Sequence, residues 1–186
     1  SSKYQSEQFA NKLEIDGQQK EYTKSAREQG TTITIKDLFY NIPARRKFLK
    51  TPQTEYRKIL ETLIPYFITY PNIHFILQNG KKEVYNLPQV SNEEVMNIER
   101  IKEIIKGDFV SKMIPVKAGG AGVILSGYIG HPSDNQSRTK HQYIFVNKRN
   151  IWDNSIAKAI HQGYSRYIPQ GTKVPFIINI EIQPDQ

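Results

Sequence analysis

The sequence has no cysteine, two methionines and one tryptophan among its 186 residues. Without cysteine, the chain can form no disulfide bond and no thiolate metal site. No apolar run approaches the roughly 18 residues that a membrane-spanning helix needs, and Ser1-Ser2-Lys3 does not open a signal peptide. The four histidines are scattered and have no paired carboxylates nearby in the sequence. The sequence therefore predicts neither a catalytic residue nor a metal ligand.

Positive charge is what the chain has in excess. The formal net charge is +8, from 26 basic and 18 acidic side chains. Between Lys112 and Lys173, nine basic residues stand against only two carboxylates, Asp134 and Asp153. A surface with this charge suits a polyanion. The ordinary alternative is a solvated face that contacts no partner.

The stretch Gly30–Lys50 carries the most information. Ile33 and Ile35 alternate with polar residues, which predicts a half-buried strand, and we expect a hairpin between Lys12–Ile15 and Ile33–Lys36. Proline then breaks the strand at Asn41-Ile42-Pro43. A basic cluster follows, in which an arginine between strand and helix is expected to pair with a core carboxylate rather than with DNA: Arg45, Arg46, Lys47 and Lys50.

Downstream signals predict four further elements. Thr51-Pro52 begins a core helix, because threonine is a good N-cap and proline suits the first turn. Asn79-Gly80 predicts a type I′ hairpin. Ser91–Glu94 reads as a capping box that opens a second helix, and Ala118–Gly122 reads as a flexible glycine-rich loop.

The last part of the chain predicts a crossover unit. Tyr143–Val146 is a strand, Asp153 or Asn154 caps a helix, and Phe176–Ile182 is the final strand. The order strand, helix, strand is typical of two parallel neighbours in one sheet. We place a domain boundary at Leu87–Val90.

Three stretches carry a resemblance to a known family. The run DLFYNIPARRKFLK at Asp37–Lys50 resembles a signature of the MutL family of DNA mismatch repair proteins. Tyr143–Ile151 (YIFVNKRNI) resembles the family's F-V-N-x-R element, and Pro175–Gln186 resembles the strand before its phosphate-contacting loop. The three occur in the family's order, so the resemblance covers nearly the whole chain.

The resemblance implies an α+β fold with two domains. Residues 1–88 would be the C-terminal part of a GHKL-type ATPase domain, and residues 91–186 a transducer domain with a mixed sheet and a left-handed β-α-β crossover. The chain is then expected to begin within the ATPase domain and to stop before the family's γ-phosphate lysine.

In such ATPases a Gly-Thr pair helps to hold adenine, which makes Gly30 and Thr31 the candidate cofactor-binding residues. Read without the resemblance, they are ordinary turn residues. The resemblance implies that the intact protein is a slow ATPase with ATP and Mg²⁺ as its cofactors. The catalytic glutamate, the Mg²⁺-binding asparagine and the phosphate-lid motifs are not in this sequence, so we expect no cofactor and no turnover for this chain alone.

Four cations are the candidate DNA-binding residues. Arg149 matches the arginine of F-V-N-x-R, and Lys148 stands where that motif usually has glycine. Arg138 and Lys140 lie in the polar loop that precedes it. Long cations at such places can reach phosphates without desolvation of a buried charge. No aromatic ladder is interleaved with them in the sequence, so we expect sequence-independent backbone binding rather than base stacking.

The resemblance implies a DNA clamp that ATP switches between open and closed dimers. Its partners would be double-stranded and single-stranded DNA with mismatches, a MutS-type recognition protein and a second copy, in the cytoplasm at the nucleoid. The alternative is a stand-alone nucleic-acid-binding module, possibly for RNA, with no nucleotide dependence.

Overall fold

A computed structural model describes residues 1–90, 96–134 and 141–183. The chain divides by its internal contacts into two compact units, Ser1–Tyr56 and Arg57–Gln186. This division groups residues by their contacts in space, whereas the domain boundary expected at residues 88–91 follows from the family resemblance. That boundary stays a prediction. Among the described residues, no helix is both long enough and apolar enough to cross a membrane.

The first unit is built on a four-stranded antiparallel sheet in the order β3-β2-β1-β4. Gly17, at a φ of 61°, closes the β2–β3 hairpin, where a positive φ suits glycine. Its elements are β1 (Ser2–Lys3), β2 (Ala10–Asp16), β3 (Gln19–Ser25), β4 (Gly30–Thr31) and the short helix α1 (Pro43–Arg46).

The strand predicted at Ile33–Lys36 is wrong. β4 ends at Thr31, and the side chains of Ile33 and Ile35 are 82% and 74% exposed. The predicted hairpin with Lys12–Ile15 is also wrong, because residues 33–36 form no strand, and β2 pairs with β3 on one edge and with β1 at Asn11 on the other. Alternating sequence makes a strand only where a neighbouring edge supplies hydrogen-bond partners.

The second unit contains a mixed five-stranded sheet in the order β10-β9-β11-β8-β7 and a separate hairpin of β5 and β6. The helix α2 begins in the first unit and continues in the second. The elements are α2 (Pro52–Thr69), β5 (Phe75–Asn79), β6 (Lys82–Leu87), α3 (Ile98–Ile104), α4 (Asp108–Ser111), β7 (Ile114–Gly120), β8 (Val123–Ile129), a 3₁₀ turn (Pro132–Asp134), β9 (Gln142–Val146), β10 (Arg149–Ile151), α5 (Asn154–Gly163) and β11 (Phe176–Ile182).

Two helix starts are confirmed by their capping bonds. The Thr51 hydroxyl accepts a bond of 3.3 Å from the Thr54 backbone N–H at the start of α2. The Asp153 carboxylate accepts one of 2.8 Å from the Ile156 N–H at the start of α5. These bonds satisfy backbone donors that a helix leaves free at its first turn.

The helix α3 differs from its prediction. It begins at Ile98, and the Asn97 side chain accepts the capping bond from the Arg100 backbone N–H at 3.0 Å. The capping box expected at Ser91–Glu94 lies outside the described residues.

Two turns also differ from their predictions. The loop expected at Ala118–Gly122 is mostly strand, and only Ala121-Gly122 remains as a two-residue turn with both φ angles positive. The hairpin at Asn79-Gly80 is present, but its two-residue turn is Gly80-Lys81, and only Gly80 has a positive φ. That geometry is type II′ rather than type I′.

The predicted crossover is confirmed. β11 lies at the centre of the sheet, parallel to β9 and antiparallel to β8, and α5 connects β9–β10 to β11. Gly127 in β8 has a φ of 137°, and a Cβ there would lie 2.1 Å from the Ile177 carbonyl oxygen, so no other residue fits. The mixed sheet and the helices confirm an α+β fold, whereas the left-handed crossover stays a prediction.

Alternating residues of β9 and β11 build separate cores on the two faces of the sheet. Phe145 and Ile177 pack with Phe67, Ile68 and Ile101 of α2 and α3. On the other face, β9 and β11 pack against α5 through Ile144, Phe176, Ile178 and Ala157. The sheet is therefore covered on both faces at β9 and β11, and the strand order places the β9–β10 hairpin at one of its edges.

Candidate nucleic-acid interface

The candidate site starts from the turn that joins β9 to β10. Val146 pairs with Arg149, so the turn consists of Asn147 and Lys148, with φ angles of 46° and 66°. Two positive φ angles define a type I′ turn, which matches the twist of a hairpin. Lys148 adopts this conformation although it is not glycine, so the hairpin closes despite the departure from the family motif.

Asn147 ties this turn to the central strand. Its backbone N–H donates to the Ile180 carbonyl at 2.9 Å. Its side-chain amide donates to the Ile182 carbonyl at 3.1 Å, and its amide oxygen accepts from the Ile182 N–H at 2.9 Å. Three bonds to β11 hold the base of the turn, so the two cations that follow project from a fixed point.

Lys148 and Arg149 are both exposed. Neither forms an ion pair with any residue in the described parts of the chain. Their charges are therefore not used by the fold of those parts. The predicted pair is thus placed together at the end of the β9–β10 hairpin, which is the geometry expected for phosphate contacts.

A cleft of about 790 Å³ lies between this hairpin and α2. Pro65, Thr69 and Phe145 are buried and form its floor. Among its lining residues, three cations stand against one carboxylate: Lys58, Lys148 and Arg149 against Glu61. The cleft is therefore cationic, and α2 contributes to it as well as the hairpin.

The helix side of the cleft also carries two tyrosines. The rings of Tyr66 and Tyr70 stack with their centroids 6.4 Å apart and their planes inclined by 15°. Tyr66 is 54% exposed. Within residues 1–90, 96–134 and 141–183, neither phenol hydroxyl has a hydrogen-bond partner.

Glu61 is the acidic member of the cleft. Its carboxylate lies 3.8 Å from the Arg57 guanidinium, one helical turn earlier. Burial raises the pKa of the nearby Tyr143 phenol, and the charges of Tyr85 and Glu61 raise that pKa further. On α2 the Glu61 charge is therefore accompanied by the cations Arg57 and Lys58, whereas the hairpin contributes Lys148 and Arg149 and no carboxylate.

Sequence reasoning missed the contribution of α2. Lys58, Thr62, Tyr66 and Tyr70 recur every four residues, so they form one stripe along the helix. The four-residue spacing in the sequence indicates that these side chains share one face of the helix. It does not indicate which strand that face packs beside.

Two of the four predicted DNA contacts cannot be placed. Arg138 and Lys140 lie outside the described residues. Trp152, just before α5, is 58% exposed, and its ring N–H donates to the Asn154 side chain at 2.9 Å.

The candidate nucleotide contact is in the first unit. Gly30 and Thr31 form β4 and pair with Lys3 and Ser2 of β1. The Thr31 hydroxyl lies 3.0 Å from the Ser2 hydroxyl, and Thr31 lines an open cleft of about 1360 Å³. In the described parts of the chain, no group of three or more His, Cys, Asp and Glu side chains is arranged for a metal ion.

The basic cluster near α1 differs from its prediction. Arg45, Arg46 and Lys47 are exposed, and none of them pairs with a carboxylate within the residues that the structure describes. Arg45 lies over the Phe39 ring instead, 5.9 Å from its centroid. The unit has no buried carboxylate that an arginine could reach, because Ala10 is its only buried residue.

Comparison with known proteins identifies the family to which this chain belongs. A family model described as "DNA mismatch repair protein, C-terminal domain" matches residues 101–186. Fold and sequence together define an α+β protein of the DNA mismatch repair class. The chain belongs to the MutL family, which confirms the resemblance.

Curated relatives named MutL include those of Coxiella burnetii, 34% identical over 163 residues, and Neisseria gonorrhoeae, 34% identical over 170 residues. The alignments cover 86% and 91% of this chain, but only 28% and 25% of those relatives. The chain therefore spans about a quarter of their length.

Solved structures with this fold include two of the Aquifex aeolicus MutL ATPase domain. The one complexed with ADP has a TM-score of 0.75 and 25% identity, over 99% of this chain and 66% of that one. The one described as the ATPase domain of a mismatch repair endonuclease has a TM-score of 0.75 and 25% identity, over 100% and 66%. These neighbours agree with the GHKL-type fold and transducer domain expected from the sequence.

Proposed function

We propose that this chain binds the DNA backbone through the β9–β10 hairpin, as part of an ATP-dependent mismatch repair protein. The observation that carries the proposal is the turn anchored by Asn147, which holds Lys148 and Arg149 beside a cationic cleft. Neither cation pairs with a carboxylate of the described residues, so a phosphate would not have to displace one.

The binding that this geometry supports is independent of sequence. Lysine and arginine on a turn reach phosphate oxygens, and each phosphate neutralised releases condensed counterions. Base-edge readout requires an element that enters a groove, and a two-residue turn is too short to present several side chains to base edges. The affinity should therefore fall steeply as salt rises.

The longer protein would supply the switch. ATP binding would close two copies into a clamp, and the transducer would carry that closure to bound DNA between mismatch recognition by a MutS-type partner and strand incision. Thr31 fits one polar contact to an adenine, since its hydroxyl lies on the open cleft of the first unit. Nucleotide hydrolysis and Mg²⁺ are proposed for the longer protein and not for these residues.

The test is duplex binding by the full 186-residue chain, titrated against salt, for Lys148→Glu/Arg149→Glu. The matched control is Lys117→Glu/Lys158→Glu, which makes the same charge change at two exposed lysines, on β7 and α5. We expect the hairpin variant to lose affinity roughly tenfold or more, and the log–log salt slope to fall by about 1 for each cation removed.

The control separates local contact from net charge. If both double variants lose affinity equally, binding follows overall charge and the hairpin is not the site. If neither changes, the proposal fails, and the next surface to examine is the basic cluster at Arg45–Lys47.

A further inference from the structure

We propose that the cleft between α2 and the β9–β10 hairpin stacks an unpaired nucleobase on the Tyr66–Tyr70 pair and so binds single-stranded DNA. The inference rests on the proposed function, because it uses the same hairpin cations for the phosphates. It adds a second recognition element that lies on α2.

The helix side of the cleft has an aromatic surface that the fold leaves exposed. Tyr66 is 54% exposed although its neighbours Pro65 and Phe67 are buried. Its ring and that of Tyr70 are nearly parallel and 6.4 Å apart, within the range of offset stacks. A free face on such a stack can extend to a nucleobase, and the stacking is tolerant of sequence because every base has a π face.

Cations surround that aromatic surface. Lys148, Arg149 and Lys58 line the same cleft as the tyrosines. Aromatic rings beside cations are the combination that proteins use to hold single strands, with bases on the rings and phosphates on the cations. In the sequence the tyrosines are far from the hairpin, and only the packing of α2 on the sheet brings them together.

Charge is distributed unequally across the cleft. The hairpin side carries two cations and no carboxylate, whereas the α2 side carries Lys58 together with Glu61, whose carboxylate can accept a hydrogen bond from an exocyclic base amine. Lys148 and Arg149 favour the phosphate on the hairpin side. The arrangement therefore orients a nucleotide, with its base toward the helix and its backbone toward the turn.

The size of the cleft fits a short single-stranded segment. The cleft has a volume of about 790 Å³, which falls in the range of roughly 300–1,000 Å³ that holds small ligands. That space suits one or two nucleotides. A duplex, whose major groove alone is about 12 Å wide, has its bases paired and stacked inside and offers no free base face to the rings.

The experiment compares three probes of equal length: a single-stranded oligonucleotide, a strand of the same length with abasic sugars, and a duplex. The variant is Tyr66→Leu, which keeps an apolar side chain and removes the ring. The matched control is Tyr167→Leu, at a tyrosine that is 70% exposed and does not line the cleft. Tyr66→Phe keeps the ring, and Tyr70→Leu tests the partner ring independently.

We expect Tyr66→Leu to weaken single-strand binding roughly 5- to 150-fold. Binding of the abasic strand and the duplex should stay within about twofold, since the phosphate contacts remain. Tyr66→Phe and Tyr167→Leu should bind all three probes like the unmodified chain. Circular dichroism of each variant checks that α2 still forms.

The outcomes distinguish this inference from the function on which it rests. If Tyr66→Leu leaves single-strand binding unchanged while Lys148→Glu/Arg149→Glu weakens it, the stacking site is refuted and the hairpin site stands. If Tyr66→Leu weakens the abasic strand and duplex equally, the ring only supports the cations and the inference fails. If neither variant changes any affinity, both proposals fail.

Discussion

The two units of this chain use similar local patterns with opposite results. In residues 1–56 the only buried residue is Ala10, and the apolar side chains of the sheet, such as Tyr22 and Ile15, are 74% and 60% exposed. In the second unit, residues 176–179 of β11 are buried, and Phe176 and Ile177 have no exposed surface. The difference lies in what packs against each sheet rather than in the strands themselves.

Alternation of apolar and polar residues is set within one strand, whereas burial of the apolar face requires a second layer of helices or strands to pack on it. A strand with period-two apolar residues gains stability only when a helix or second sheet covers that face. The second unit has α2 and α3 on one face of its sheet and α5 on the other. Its cleft is therefore built on a packed base, whereas Thr31 lies on a short strand of a sheet with no buried core.

The same substitution in each unit tests this difference most strongly. Ile177→Ala removes a fully buried side chain and should lower the free energy of unfolding by about 2–5 kcal/mol. Ile33→Ala, at a side chain that is 82% exposed, should change it by less than about 0.5 kcal/mol. Urea denaturation followed by circular dichroism measures both. A cost of more than about 1 kcal/mol for Ile33→Ala would mean that its side chain is covered in solution.

One tyrosine in each unit allows the two units to be compared by the pH dependence of their stability. The Tyr164 hydroxyl donates to the Gly130 carbonyl at 2.6 Å, and burial raises the pKa of Tyr164 to about 12. In the first unit, the pKa of Tyr40 is raised by its hydrogen bond of 3.0 Å to Asp16 and by the Asp16 charge, at an exposed position.

The native state holds the Tyr164 proton more tightly than the unfolded chain, whose tyrosine pKa is about 10. The stabilisation is therefore complete below about pH 10 and is lost as the pH rises toward 12. We expect Tyr164→Phe to reduce the loss of stability at alkaline pH, and Tyr40→Phe to leave that loss nearly unchanged. Urea midpoints at about pH 8 and about pH 11 check this, and an equal effect of the two variants would contradict it.

The smallest expected effect concerns the hairpin turn. Lys148 has a φ of 66°, a conformation that costs a residue with a Cβ about 1–2 kcal/mol. Lys148→Gly should therefore raise the free energy of unfolding by roughly 0.5–1 kcal/mol, once the greater entropy of glycine in the unfolded chain is included. The same change should lower the salt slope of DNA binding by about 1.

Asn147→Gly is the matched variant for this turn. It also places glycine at a positive φ, but it removes both side-chain bonds to Ile182, so it should destabilise by about 1 kcal/mol. If Lys148→Gly destabilised as much as Asn147→Gly, relief of the positive φ would not be the governing effect.

Much of the fold could be predicted because its signals are local. The caps at Thr51 and Asp153, the turn at Gly17 and the crossover that ends in Phe176–Ile182 each depend on a few adjacent residues. The prediction at Ile33–Lys36 failed because strand formation depends on a distant edge. For the site, the pair Lys148–Arg149 was found from a contiguous motif, whereas Tyr66 and Tyr70 were missed because no local pattern relates them to the hairpin.

The sequence by itself determined the family, the order of the longer helices and strands in the second unit and the presence of a cationic turn after β9. Contiguous residues carry each of these, since caps, glycine turns and motifs act over a few residues. Only the tertiary structure decided which strands pair with one another. It also decided that the Asn147 amide bonds to β11, and that two tyrosines on the helix side share a cleft with Lys148 and Arg149. These choices depend on packing between segments far apart in the chain, and side-chain burial rather than local preference selects among them.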